Sequence, residues 1–207
     1  MMRAALIAAV IFSGPAFAQD EATPAEAPAL AVVAQTPASP SGLPFPVKLG
    51  GAFSLTDQTG ATRTEVDPNG NFQLLFFGYA NCEAICSVAL PLMAETTDQL
   101  RDAGIAVQPV MITIDPHRDT VETIGPGLAK HHADFVGLTG TEAELGDVYK
   151  LFAVEKTLVF EDLIAGPIYA HGSHIYLLDA EGVVLTLLPP ILSQERIAEI
   201  VTGYAGN

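Results

Sequence analysis

The chain has 207 residues, 24 acidic against 9 basic, a formal charge of −15 and a mean hydropathy of +0.35. A field of that sign argues against nucleic acid and anionic lipid as partners and suits solubility or docking onto a basic surface. No internal repeat is visible, and the length is that of one domain with a real core preceded by a non-globular segment.

Residues 1–18 read as a cleavable secretory signal: Arg3 is a short positive n-region, Ala4 to Phe12 an apolar h-region, and Ala16-Phe17-Ala18 an A-x-A site before Gln19. The apolar run is shorter than the roughly twenty residues a bilayer span needs. Cleavage leaves eight basic against 24 acidic residues, a formal −16, in an oxidising compartment, the bacterial periplasm, without stable membrane insertion. Residues 19–46, with Pro24, Pro28, Pro37, Pro40, Pro44 and Pro46 scattered among alanines, read as a disordered spacer that cannot bury enough apolar surface to order itself. Residues 47–207 form the domain.

Phe53, Leu55 and the Gln58-Thr59-Gly60 turn predict an N-terminal hairpin. Leu74 to Phe77, bounded by Gly78, reads as a strand buried on both faces, with Asn81 capping a helix that starts beside Cys82. Pro91 predicts a kinked or separately wound first turn. Ile105 to Ile114 follows as a strand whose early part, with Pro109, lies at an edge or bulge. Gly125-Pro126-Gly127 breaks or shortens a helix over 120–132. Phe135 to Leu138 is a strand, and Thr141 to Ala153 a helix capped by Thr141. An irregular segment runs to about Pro167. Strands Ile175 to Leu178 and Val183 to Leu188 and a helix from Ser193 to Tyr204 close the chain. This order predicts an α/β, thioredoxin-like fold with a mixed central sheet flanked by helices.

Cys82 and Cys86 are the only cysteines. On a helix, residues four apart share a face with Cα atoms roughly 6 Å apart, inside the disulfide range. The pair can close reversibly or clamp one soft metal ion, and a helix N-terminus should lower its pKa values. Two thiolates fall short of a zinc site's usual donor set. They suit Cu(I), and one added imidazole makes a site usable by Cu(I) and Cu(II). His171 and His174 bracket the strand at Ile175, and in extended backbone at most one of them faces the cysteines. His117, His131 and His132 are assigned no function.

Four stretches form a constellation: FFGYANC-x-x-x-C at 76–86, IDPHRDT at 114–120, FVGLTGT at 135–141 and H-x-x-x-x-Y-L-L-D at 171–179. Together they resemble the Sco (SenC) family of copper-binding proteins over essentially all of residues 47–207. The resemblance implies one copper held by Cys82, Cys86 and His171, with His174 out of register, and Asp115 acting behind the ligands. It implies as partner the copper-centre subunit of a cytochrome c oxidase, whose dinuclear copper centre the protein helps to assemble, and another periplasmic copper chaperone is a further candidate partner. Glu83 and Ser87 stand where the family pattern has prolines, and a cleavable signal stands where the family has a membrane anchor. Two rival readings remain. One is a thiol–disulfide oxidoreductase using Cys82 and Cys86, although the thioredoxin motif is Cys-x-x-Cys and usually follows Trp, which this chain lacks. The other is a structural disulfide, which would close too short a loop to stabilise much.

Overall fold

The computed structural model describes residues 48–80, 82, 85–164 and 166–206. The expected signal segment and spacer, the Asn81 cap and Glu83 lie outside the described residues.

The predicted N-terminal hairpin forms as β1 (Leu55–Asp57) and β2 (Thr62–Arg63). Its turn is closed by one carboxylate: Asp57 Oδ1 accepts from the Thr59 N–H at 2.8 Å, the Thr59 hydroxyl at 2.6 Å and the Ala61 N–H at 3.1 Å. The apolar run becomes β3 (Phe72–Gly78), buried from Gln73 onward, as a strand covered on both faces must be. Next come α1 (Cys86–Asp102), β4 (Val107–Thr113), α2 (Val121–Leu128), β5 (Val136–Thr139) and α3 (Glu142–Leu151). The chain then runs through β6 (Lys156–Asp162), β7 (Gly166–His171), β8 (Ile175–Leu178), β9 (Val184–Leu188) and α4 (Gln194–Ala205).

Seven strands make one mixed sheet in the order β2-β1-β5-β4-β3-β8-β9. Its centre, β5-β4-β3, is parallel, and antiparallel strands complete both sides. β4 pairs with β3 along its whole length but meets β5 only from Val110, so Pro109 lies where one flank of the strand has no partner and its missing N–H costs little. Alternation along β3 sends Phe77 into a ring cluster with Tyr149, Phe152 and Tyr176, while Phe76 faces the Cys86 side. α3 begins as expected, with Thr141 Oγ1 accepting from the Glu144 N–H and the Glu144 carboxylate accepting from the Thr141 N–H.

Two expectations are corrected and two are narrowed. The segment to Pro167 is not irregular: β6 and β7 form a two-stranded antiparallel sheet of their own. α1 starts at Cys86, with Ile85 in the cap position, and Cys82 lies in a turn before it, its N–H donating to the Tyr79 carbonyl at 3.1 Å. α1 also continues through Pro91, so its first turn is not separately wound. α2 is short, as expected, ending at Leu128, but it is not broken at Gly125-Pro126-Gly127, where Pro126 is exposed.

Burial opposes ionisation of Asp57, but the hydrogen bonds from Thr59 and Ala61 prevail and hold its carboxyl below the ordinary value. Its stabilising contribution is therefore complete above the ordinary aspartate pKa and lost as pH falls through the lowered folded value. Asp57→Ala should cost about 1–2 kcal/mol at neutral pH, read as a lower urea midpoint with unchanged slope. The difference from wild type should shrink below about pH 4.

Candidate metal centre

The site is assembled where β3 ends. Tyr79 and Ala80 lead out of the strand, Cys82 lies in the following turn, and Cys86 opens α1. Both thiols are inside the molecule, Cys82 at 8% exposure and Cys86 at 1%, and they are not joined in a disulfide. Their proximity therefore comes from a turn feeding a helix and not from two successive turns of one helix. Gly78 makes the approach possible: a Cβ there would lie 2.9 Å from Cys86 Sγ and 2.7 Å from the Phe76 ring. Only a residue without a side chain lets the start of α1 settle onto the strand end.

The third donor comes from the other end of the sequence. His171 is the last residue of β7, and Gly172 to His174 form the connection into β8. Its Nδ1 lies 2.9 Å from the Gly172 carbonyl oxygen, which only an N–H can satisfy, so Nδ1 carries the proton. The lone pair is left on Nε2, which stands 3.9 Å from Cys86 Sγ. The Cys82, Cys86 and His171 donor atoms all lie within 4.8 Å of one another. The rings of Phe76 and Tyr79 meet the imidazole edge-on, with centroids 5.9 Å and 6.3 Å away.

The electrostatics reverse one expectation. The Cys86 thiol is pushed up, not down, by a hydrogen bond shared with Cys82 and by burial, against opposing bonds from the Tyr79 and Cys86 N–H groups. The helix terminus does not outweigh these effects, because two sulfurs in one dry site resist sharing negative charge. Tyr79 is pushed up to about 12 by burial and by the neighbouring Cys82. A soft cation placed among these sulfurs supplies the positive charge that the site lacks.

Asp119 and Arg118 hold the cysteine turn from behind. The buried Asp119 Oδ2 accepts from the Ala80 N–H at 3.0 Å and the Thr113 hydroxyl at 2.7 Å, and Thr139 donates to the Asp119 carbonyl at 2.7 Å. The Arg118 guanidinium lies 4.9 Å from the centre of the Tyr79 ring and donates to the Pro167 carbonyl of β7 at 2.7 Å. The buried Asp115 carboxylate pairs with Arg118 and so reaches the site through that side chain. The sequence reading gives a site role to Asp115 but to none of Gly78, Tyr79, Arg118 and Asp119, although all four stand inside the stretches FFGYANC and IDPHRDT. His174 is exposed and outside the cluster, His117 pairs with Glu142 at 3.2 Å, and His132 with Asp98 at 3.1 Å. Ser87 is on the exposed side of α1.

Comparison with known proteins matches residues 42–206 to the SCO1/SenC family model. A SCO2-like protein of Rickettsia conorii is 40% identical over 141 residues, covering 67% of this chain and 68% of its own. Yeast Sco1 with copper bound is similar at a TM-score of 0.70 and 29% identity, covering 77% of this chain and 90% of its own. Arabidopsis thaliana ScoI with copper bound is similar at 0.69 and 28%, covering 75% and 96%.

Gly78→Ala tests the close approach. The added methyl has Cys86 Sγ and the Phe76 ring in its way, so the variant should lose about 1–3 kcal/mol in denaturant unfolding. Gly146→Ala, with nothing near the new carbon, should lose nothing and serves as the control.

Proposed function

The chain belongs to the SCO1/SenC family, and we propose that it is a periplasmic copper chaperone that carries one copper ion on Cys82, Cys86 and His171 to the dinuclear copper centre of a cytochrome c oxidase. The observation that carries this reading is the convergence of two sulfurs and an imidazole nitrogen within 4.8 Å. Thiolates are soft donors that favour Cu(I), and the imidazole extends the set to Cu(II). The cargo can then be accepted and released in either oxidation state.

Each side chain has a part in the proposed transfer. The sulfurs hold the ion, and the Gly172 carbonyl keeps the His171 tautomer whose Nε2 lone pair faces it. Asp115 fixes Arg118, which lies over Tyr79 and holds Pro167, so the carboxylate steadies both the cysteine turn and the strand that ends in His171. The secretory reading of residues 1–18 supports the periplasmic location, where a copper-carrying domain meets the outward-facing parts of respiratory enzymes. Another periplasmic copper chaperone as a partner belongs to the same reading. Burial of both sulfurs favours metal over disulfide chemistry, since thiol exchange needs in-line access to a sulfur.

Anaerobic titration of the reduced protein with Cu(I) should saturate at one equivalent. Cys82→Ser and Cys86→Ser should each abolish tight Cu(I) binding, a larger effect than the roughly 10–100-fold loss expected for Asp115→Ala behind the ligands. His171→Ala should weaken Cu(II) more than Cu(I) and diminish the thiolate-to-Cu(II) absorption band, while His174→Ala should leave both unchanged. Affinity should fall on acidification, because protons compete at all three donors. Weak copper binding indifferent to His171, together with rapid exchange against a disulfide substrate, would replace the chaperone with an oxidoreductase.

A further inference from the structure

The β6–β7 hairpin leaves apolar side chains in water to an extent that folding does not explain. Leu158, Val159 and Phe160 are each more than half exposed, and Leu163 and Ile164 at the turn stand at 102% and 98%. Cross-strand register sorts the two faces. Leu158 lies opposite Tyr169 and Lys156 opposite His171, and Tyr169 packs against Tyr79 with ring centroids 6.1 Å apart, so this face turns to the metal centre. Thr157 opposite Ala170 and Phe160 opposite Ile168 make the other face. Thr157 and Ala170 of that face also line a cleft of about 380 Å³, together with Ala153, Glu155, His171 and Gly172. A strip of six β residues, roughly 20 Å long at about 3.3 Å per residue, thus runs from the exposed turn to the imidazole that the proposed function makes a copper ligand.

We infer that this outer face of the hairpin, from Leu163 and Ile164 through Phe160 and Ile168 to the cleft at His171, is the docking surface for the protein that receives the copper. The inference rests on the chaperone reading and adds to it the place and chemistry of contact. Ligand exchange requires the recipient's donor atoms to come within bonding distance of a site whose sulfurs are buried, and the cleft opens beside the one ligand that is only half-buried. A surface continuous with that opening delivers the recipient to it. An exposed apolar patch on an otherwise acidic protein marks a protein contact. Glu155, exposed just before β6, lines the cleft, and Glu161 is exposed on the neighbouring face of β6, within a chain of formal charge −15. The recipient's complementary face is therefore apolar at its centre and rimmed by lysine or arginine.

The test loads the full-length protein with Cu(I) and mixes it with the metal-free copper-centre domain of the cytochrome c oxidase from the same organism. Leu163→Ser/Ile164→Ser and Phe160→Ser are compared with wild type, and Val183→Ser, an exposed apolar residue elsewhere, is the control. Copper affinity, measured by competition with a chromogenic Cu(I) chelator, should be unchanged in every variant. The second-order rate of transfer to the oxidase domain should fall at least tenfold in the hairpin variants and not in the control. Glu161→Lys should lower the same rate and flatten its decline with added salt. Transfer from the hairpin variants at the wild-type rate overturns the docking surface and leaves the chaperone reading standing. Tight copper binding without any transfer from wild type overturns the oxidase as recipient, and the docking surface with it. A wild-type dimer in sedimentation, or flotation with neutral phospholipid vesicles, that the double serine change abolishes would assign the patch to a second copy or to a membrane and overturn the inference.

Discussion

One buried carboxylate ties the functional end of the molecule together. Asp119 takes the Ala80 N–H of the chain leaving β3 and the Thr113 hydroxyl at the end of β4, and its own carbonyl is held by Thr139 of β5. Three neighbouring parallel strands are thereby fastened at the edge where their loops emerge. Open α/β sheets place their ligands at that edge, because loops there can converge while the strands stay rigid. Burial pushes the Asp119 carboxyl up, against the bonds from Thr113 and Ala80, so keeping it there costs stability that the three anchored segments offset. The cysteine turn inherits its position from this arrangement, and Gly78 lets α1 complete it.

The parts of the fold legible in the sequence were those with a one-dimensional signal strong enough to survive tertiary context. The run at Leu74 to Phe77 could only be a buried strand, and Thr141 followed by Glu144 could hardly be other than a helix start. Phe135 and the pair of strands after Ile175 were read for the same reason. The β6–β7 hairpin was missed because it lacks that signal: most of its residues are exposed, and the register shifts between Leu158 and Phe160, which destroys the two-residue alternation halfway along. Gly125 and Gly127 were misread as breakers. They are small because Gln58 and Ala80 lie against them, a reason that exists only in three dimensions.

The candidate site was legible in a similar, uneven way. Two cysteines in a chain that has no others stand out, and the Sco-like register placed His171 ahead of His174. Geometry accounts for that preference, since His171 ends β7 beside the cysteines while His174 is exposed in the connection to β8. What the sequence hid was the layer behind the donors. Tyr79, Arg118 and Asp119 look like ordinary loop residues until the ring, the guanidinium and the carboxylate are seen to meet. The thiol pKa was misjudged for a related reason: the helix terminus is visible in sequence, but the mutual influence of two buried sulfurs is not.

The long separation between the donors has a consequence for how occupancy and folding are linked. Cys86 and His171 are 85 residues apart, whereas the two cysteines are neighbours. An ion gripping the sulfurs alone would close a very small ring and remove little freedom from an unfolded chain. An ion gripping all three closes a loop spanning half of the domain, as a crosslink does. The complete donor set exists only once β3, the cysteine turn and β7 have come together, so the unfolded chain offers a poorer set to the same ion. By mass action, a bound ion raises the free energy of unfolding, and its loss returns the protein to its lower intrinsic stability. The metal-loaded and metal-free protein would then present different resistance to proteases, making turnover sensitive to copper supply without any separate sensor.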